Sequence, residues 1–232
     1  MNKLKGNKVM INIALDGPSG AGKSTIARKV AALLGFLYID TGALYRAIGL
    51  YTLESGIETT DELKVLPLLS NIKITLEYEN GLQKVFLNGR DVTSDIRKPE
   101  VSMAASNVSA INGVRAFLLS LQQDIAKNNN CIMDGRDIGT VILPDAQIKI
   151  FLTASPEERA TRRYDELKLK GFDVDYDTLL QEIKQRDFND SNREIAPLKP
   201  AEGCTVFDTT GNGFEQSVEL IYNHIKGALD VL

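Results

Sequence analysis

Gly17-Pro-Ser-Gly-Ala-Gly22-Lys23-Ser24 stands directly after the apolar run 9–15 and directly before a helical pattern carrying Ile26, Val30, Ala31 and Leu34. The stretch fits G-x-x-x-x-G-K-[ST]. Its glycines let successive backbone N–H groups turn inward around phosphate oxygens at the positive end of a helix. Lys23 can reach β- and γ-phosphates, and Ser24 supplies a hydroxyl ligand for Mg²⁺. The alternative is a glycine-rich strand–helix turn without a ligand; the flanking strand and helix favour a nucleoside triphosphate site. What the triphosphate is used for does not follow from the motif.

Outward from this stretch, four more short apolar or β-branched runs follow at 36–39, 131–133, 148–152 and 205–207, separated by helical patterns. Near-continuous apolar runs suit strands buried on both faces, and their alternation with helices predicts a parallel sheet sandwiched by helices. Four runs meet an aspartate and a turn: Asp16-Gly17, Asp40-Thr41-Gly42, Asp134-Gly135 and Asp208-Thr209. Ligands gather beyond the carboxyl ends of such strands, so these aspartates are expected to ring one crevice. Asp16, Asp40 and Asp134 are alternative candidates for ordering Mg²⁺ through water. Thr59-x-x-Glu62 and Ser155-Pro156-Glu157-Glu158 read as capping boxes, and Gly35 as a helix stop.

Residues 71–93 break the pattern. Ile72, Ile74, Leu76 and Tyr78 alternate with Lys73, Thr75, Glu77 and Glu79, and turns follow at Asn80-Gly81 and Asn88-Gly89. A half-exposed antiparallel hairpin or three-stranded insert is expected.

The chain has 232 residues, 43% hydrophobic and 25% charged, with 27 basic against 31 acidic side chains and a net charge of −4. This excludes a disordered chain and disfavours polyanion binding. Residues 1–60 hold seven basic and four acidic side chains, so the charge is uneven. Lysines 3, 5 and 8 before the run 9–15 could pass for a short secretory leader. Asn12 and Asp16 interrupt that run, however, and no small-x-small cleavage site follows. Two cysteines, Cys131 and Cys204, start apolar runs and read as isolated buried thiols. A cytoplasmic protein is expected. His224 falls in an amphipathic pattern with Val218, Ile221, Ile225 and Leu229 and reads as packing rather than catalysis.

Arg46 and Arg136 each lie within a few residues of a strand's carboxyl end, facing the same crevice as the phosphate cradle. Guanidinium groups bind phosphate through paired, charge-assisted hydrogen bonds. Arg159, Arg162 and Arg163 share one helix. Arg186, Asp190 and Arg193, at i, i+4 and i+7, share one helix face. Segment 156–199 holds nine basic and eleven acidic residues, which also fits an ordinary surface helix laced with ion pairs. A switch-type GTPase is disfavoured: Asp208-Thr-Thr-Gly211 matches D-x-x-G far too late in the chain, and no Asn-Lys-x-Asp occurs.

Residues 13–24, Asp40-Thr-Gly-Ala-Leu-Tyr-Arg46, Asp134-Gly-Arg-Asp-Ile-Gly-Thr140, Gln185-Arg-Asp-Phe-Asn-Asp-Ser-Asn-Arg193 and Ala196-Pro-Leu198 together resemble the successive signatures of the bacterial cytidylate kinase family. These are the (d)CMP kinases of the nucleoside monophosphate kinase group. The resemblance implies an α/β P-loop kinase core with a five-stranded parallel sheet flanked by helices, a small antiparallel β insert and a helical lid. Core residues would be 9–60, 99–155 and 196–232, the monophosphate-binding insert 61–98 and the lid 156–195. It implies that Gly17, Pro18, Ser19, Gly20, Ala21, Gly22, Lys23, Ser24, Thr25 and Arg159 bind ATP, with Ser24 on Mg²⁺. Lys23, Arg162 and Arg163 would be catalytic, Arg163 foremost on the transferring phosphoryl. Arg46, Arg136 and Arg193 would hold the CMP phosphate, and Ser106, Arg115 and Asp137 the cytosine edge. Arg186 and Asp190 would engage the ribose, with Thr41 and Tyr45 lining the pocket. Family members often carry serine at the position of Thr41, and the hydroxyl is kept. The implied partners are ATP and CMP or dCMP for a monomeric enzyme, with no nucleic acid and no membrane. The competing readings are another P-loop small-molecule kinase, for shikimate or a different nucleotide, and a nucleotide-binding module without turnover.

Overall fold

The computed structural model describes residues 10–79 and 81–231. Residues 1–8, Val9 at the head of the first run, Asn80 of the first insert turn, and Leu232 lie outside them.

In chain order the core opens with β1 (Asn12–Asp16), α1 (Lys23–Leu34), β2 (Leu37–Asp40) and α2 (Thr41–Glu54). After α3 (Glu62–Leu68) come β3 (Ile74–Glu79), β4 (Leu82–Leu87) and β5 (Arg90–Asp91). The chain then returns through α4 (Pro99–Ser109) and α5 (Asn112–Asn128) to β6 (Cys131–Gly135), β7 (Ile148–Thr153) and α6 (Pro156–Leu169). It ends in α7 (Tyr176–Asn192), β8 (Thr205–Asp208) and α8 (Phe214–Leu229).

The five core strands form one parallel sheet in the order β2-β6-β1-β7-β8. Side chains alternate across each strand, so β1 sends Ile13 and Leu15 to one face and Ala14 to the other. The first face packs on α1 and α8 through Ile26, Val30, Val218, Ile221 and Ile225. The second meets α5 and an unforeseen π-turn at Ile138–Ile142 through Met133, Ile138 and Ala126. β1, β2 and β6 are buried on both faces as their apolar runs imply. β7 is only half-buried on alternate positions and β8 is exposed on alternate positions, because the sheet face carrying Phe151 and Val206 is less covered at this end. Asp208 is correspondingly exposed and only accepts from the backbone and hydroxyl of Thr210, so it does not join the crevice. The D-x-x-G match is the turn after this edge strand.

The insert is a three-stranded antiparallel sheet, β3-β4-β5. Its alternation sends Ile74, Val85 and Leu87 into a third core shared with Leu44 and Ile48 of α2 and with Val101 and Val108 of α4. Asn88 (φ 51°) and Gly89 (φ 82°) join β4 to β5 by the two-residue left-handed turn that matches strand twist.

Gly35 ends α1 and Ser155 caps α6, with Pro156 in the first turn, as expected. The cap of α3 is Asp61, whose carboxylate accepts from the Lys64 N–H, and not Thr59. Thr59 is buried, and its hydroxyl accepts from the Asn107 amide instead. Arg193 lies past the end of α7 in extended backbone, so it does not share the helix face of Arg186 and Asp190. Cys131 is buried, Cys204 is half-buried, and both are free thiols. His224 stacks edge-on against Phe207 at 5.1 Å, a packing role.

Candidate active site

The loop 17–22 links the buried end of β1 to α1. Gly17 (φ 148°) presses against β7: a Cβ there would lie 1.9 Å from the Leu152 carbonyl oxygen. Gly22 (φ 86°) begins α1 in left-handed backbone that glycine adopts at no steric cost. Lys23, buried, donates to the Pro18 carbonyl at 2.7 Å, so its ammonium is held inside its own loop. Burial, then the Arg136 guanidinium, push the Lys23 pKa well below the ordinary lysine value.

The three buried aspartates separate by their partners. Asp16 accepts from the backbone N–H groups of Ile138 and Gly139, both at 2.8 Å, and so pins the turn after β6 to β1. Asp40 caps α2 through the Ala43 N–H and pairs with Arg97 at 2.7 Å and Arg46 at 3.7 Å. Burial opposes its charge, but those two guanidiniums outweigh it and hold the carboxyl below its usual range. Asp134 accepts from Ser24 Oγ at 2.6 Å and from the Tyr38 hydroxyl at 3.2 Å. Burial raises both Asp16 and Asp134 to about 6.

Ser24 Oγ and Asp134 Oδ2 therefore make an adjacent pair of hard oxygen donors beside the cradle. Among the described residues no cluster of three or more His, Cys, Asp or Glu is placed to hold a metal. One hydroxyl and one carboxylate fit Mg²⁺, which keeps several waters and takes its remaining oxygens from substrate phosphates.

On the other side of β6 stand the remaining arginines. Arg136 donates to Asp190 Oδ2 at 2.9 Å. Arg186 donates to Ser19 Oγ and to Ser102 Oγ, each at 3.2 Å. Burial, then Arg136, lower Arg186 to about 10, and burial likewise lowers Arg46. Nη1 of Arg46, Nε of Arg186 and Nη2 of Arg193 are buried with no hydrogen-bond partner among the described residues. Arg46 Nη1 and Arg193 Nη2 stand only 3.7 and 3.6 Å from a carboxylate oxygen, and buried cationic donors without a hydrogen bond are costly in free energy unless an anion joins them.

Beyond them, Arg115 and Asp137 form a buried bidentate-capable pair, with Arg193 Nη2 3.6 Å from the second carboxylate oxygen. The Arg115 guanidinium sits 5.6 Å over the ring of buried Tyr45, and Thr41 donates to the Asp134 carbonyl at 2.8 Å. Ser106, Asp190 and Arg193 line one cavity of about 330 Å³ with Glu62 and Asn189. On α6, Arg162 donates to the Thr209 carbonyl at 2.9 Å and pairs with Glu158, while Arg163 pairs with Glu166 of its own helix at 2.7 Å. Arg159 is buried against the Ser19 carbonyl, which accepts from its Nη1 at 2.9 Å. The fold thus gathers Lys23, Ser24, Arg46, Arg136, Arg186 and Asp190 in one continuous charged cluster. It leaves Arg163 on the surface of α6.

A family model described as cytidylate kinase matches residues 13–227. The chain belongs to the cytidylate kinase family. It is 56% identical over 211 residues to the cytidylate kinase of Caldicellulosiruptor saccharolyticus, covering 91% of this chain and 93% of that one. It is 54% identical over 220 residues to the cytidylate kinase of Caldicellulosiruptor bescii (93% and 97%). To that of Caldanaerobacter subterraneus it is 52% identical over 216 residues (93% and 95%).

Within this cytidylate kinase family fold, three residues to which the sequence reading gives no role also shape the site. Gln83 of β4 accepts from the Asp40 N–H (2.9 Å) and donates to the Asp40 carbonyl (3.3 Å), keying the insert onto the head of α2. Arg97, just past β5, helps Arg46 neutralise Asp40. Asp187 binds both terminal nitrogens of Arg159. No spacing reveals these pairs, because each joins elements distant in sequence.

Proposed function

We propose that this protein transfers the γ-phosphoryl group of MgATP to the phosphate of CMP or dCMP, releasing ADP and CDP or dCDP. The observation that carries this reading is the set of guanidinium nitrogens of Arg46, Arg186 and Arg193 that are buried without a hydrogen bond among the described residues, beside a lysine-bearing phosphate cradle. A single-phosphate binder has no use for a second cationic pocket, and family membership supplies the acceptor's identity.

The loop 17–22 with Lys23, Ser24 and Thr25 holds the triphosphate. Ser24 and Asp134 are the residues that would hold Mg²⁺; when bound there it neutralises charge on the phosphate oxygens. Arg46, Arg136 and Arg193 bind the acceptor phosphate, while Arg186 and Asp190 address the ribose. The acceptor phosphate is already an anionic nucleophile, so no general base is required. Catalysis is in-line placement plus charge stabilisation by Lys23 and the arginines. Arg162 and Arg163 approach the transferring group when the lid 156–195 and insert 61–98 close, excluding water. That step requires Arg163 to exchange Glu166 for phosphate. Asp137, fixed by Arg115, accepts from the cytosine N4 amino group and repels the O4 of uracil, aided by Ser106. The protein acts as a monomer in the cytoplasm; two free cysteines fit a reducing compartment. Among the described residues no helix is long and apolar enough to cross a membrane.

A coupled ADP-release assay with CMP, dCMP, UMP, AMP and shikimate tests this reading. Turnover is expected with CMP and dCMP. Activity with AMP or shikimate but not CMP would overturn the acceptor assignment, and no turnover with any acceptor would overturn the enzyme.

A further inference from the structure

Ser19, at the crest of the phosphate loop, is held from two sides. Its carbonyl accepts from Arg159 Nη1 at 2.9 Å, and its hydroxyl lies 3.2 Å from Arg186 Nη1. Arg159 reaches the loop from α6 and is nearly fully buried; its Nε also donates to the Ala154 carbonyl at 2.9 Å. The loop rests on the foot of the arginine: a Cβ at Gly20 would lie 3.2 Å from Arg159 Cβ and 3.4 Å from its carbonyl oxygen. Asp187 of α7 then clasps the guanidinium with both carboxylate oxygens, Oδ1 at 3.0 Å from Nη1. Its neighbour in sequence is Arg186, which reaches Ser19 Oγ and also Ser102 of α4.

Asp187 and Arg186 thus leave consecutive positions of one helix and end on two atoms of the same residue, one through Arg159 and one directly. Every rotatable link in that ring is buried or paired. Its geometric consequence is a defined offset, in this conformation of the lid, between the phosphate loop and α7, the helix that carries Arg186 and Asp190. Phosphoryl transfer depends on that offset, because the loop is the proposed donor-phosphate site and α7 carries Arg186 and Asp190, which the proposed function assigns to the acceptor's ribose. A misplacement of about 1 Å can cost on the order of 10²-fold in rate.

We infer that Asp187 is a positioning residue: through Arg159 and Ser19 it sets the placement of α7, with Arg186 and Asp190, against the donor-phosphate loop. It touches neither substrate. The inference rests on the two-phosphate reading above.

The test is steady-state kinetics of Asp187→Asn and Ser19→Ala beside the wild type, with ATP and CMP each varied. Asp187→Asn loses the charge-assisted clasp, and Ser19→Ala loses the hydroxyl to Arg186 without disturbing the carbonyl. Expected is a fall in kcat of about 10- to 100-fold for Asp187→Asn, with both KM values within about threefold of wild type. Ser19→Ala should move kcat in the same direction by a smaller factor, and the double variant should lose less than the product of the two. A raised KM for one substrate with kcat preserved would overturn the inference by assigning Asp187 to a single subsite. Wild-type behaviour of both variants would overturn it as well. If Asp187→Asn does not fold, an unchanged kcat in Ser19→Ala overturns it and a reduced kcat at constant KM supports it. Absence of CMP phosphorylation by the wild type would instead strike the functional reading itself.

Discussion

Ser24 Oγ donates a 2.6 Å hydrogen bond to Asp134 Oδ2 across 110 residues of sequence, tying the start of α1 to the end of β6. The same carboxylate is buried, and burial first, then Asp40, raise it from 3.8 to about 6. A carboxyl whose folded pKa exceeds its unfolded value binds more protons when folded. Stability therefore falls as pH rises from roughly 4 to roughly 6 and stays lowered above that window. Asp134→Asn removes the buried charge, and the Ser24 hydroxyl can turn to accept from the amide. The variant should be more stable than wild type at pH 7.5, by on the order of 1–3 kcal/mol, and equal to it near pH 4. Activity should move the opposite way, about 10- to 100-fold down, with a raised Mg²⁺ requirement. Urea melts at pH 4.5 and 7.5 with a Mg²⁺ titration of rate check this. A destabilised variant at pH 7.5 would show that the carboxylate is retained for folding.

Asp137 lies between Arg115 and Arg193, and Arg115 is nearly fully buried. Truncation to alanine strands that guanidinium, costing about 3–5 kcal/mol, so the informative change is Asp137→Asn. An amide can offer N–H to the O4 of uracil where the carboxylate repels it. The CMP/UMP ratio of kcat/KM should fall by about 10- to 100-fold, the discrimination carried by one good base contact. An unchanged ratio would remove Asp137 from base recognition.

How much of this was legible beforehand depends on whether the deciding interaction is local. The cradle 17–24, the cap at Ser155 and the turn at Asn88-Gly89 are written in consecutive residues, since each is made by backbone geometry of its own segment. The order of strands and helices followed from runs and periods for the same reason. Thr59 was misread as a cap because Asp61, two residues on, offers a carboxylate to the same helix start, and tertiary packing claimed the Thr59 hydroxyl. Arg193 looked helical by spacing, but the chain leaves α7 at Asn192. The choice among Asp16, Asp40 and Asp134 was undecidable from the chain because it rests on who their partners are: backbone amides, arginines and Ser24, respectively. Asp187 lies inside the signature 185–193, but its partner Arg159 is invisible until α6 is seen beside α7.

Gly17 meets Leu152 of the neighbouring strand so closely that a methyl group has no room: the carbonyl oxygen would be 1.9 Å away, at φ 148°. Gly17→Ala must therefore push the loop off β7 or shift the strand. Strained backbone alone costs about 1–3 kcal/mol, and the clash adds to it. A drop in Tm of about 5–10 °C is expected at 2–4 °C per kcal/mol, along with loss of the Tm increase that ATP gives the wild type. Retention of that ATP-dependent increase would mean that the cradle tolerates displacement from β7.

Arg46 stands 3.7 Å from Asp40, while Arg97 holds the same carboxylate oxygen at 2.7 Å. Arg46 and Arg97 both neutralise Asp40, but only Arg97 hydrogen-bonds it, and Arg46 Nη1 is buried without a hydrogen bond. In the free protein burial lowers the Arg46 pKa, and the attraction of Asp40 is opposed by the repulsion of Arg97 and Arg136. Arg46→Gln should therefore leave the free protein's Tm unchanged or raise it. A phosphate contact of this kind contributes about 1.5–3 kcal/mol, so the KM for CMP should rise by about 10- to 100-fold. The KM for ATP should stay within about twofold, because the loop 17–24 is untouched. The stabilisation of the wild type by saturating CMP should shrink with the lost affinity. Thermal melts with and without CMP, run beside initial rates, measure both effects on one sample. A variant that melts lower but binds CMP normally would make Arg46 a partner of Asp40 and not of the acceptor phosphate.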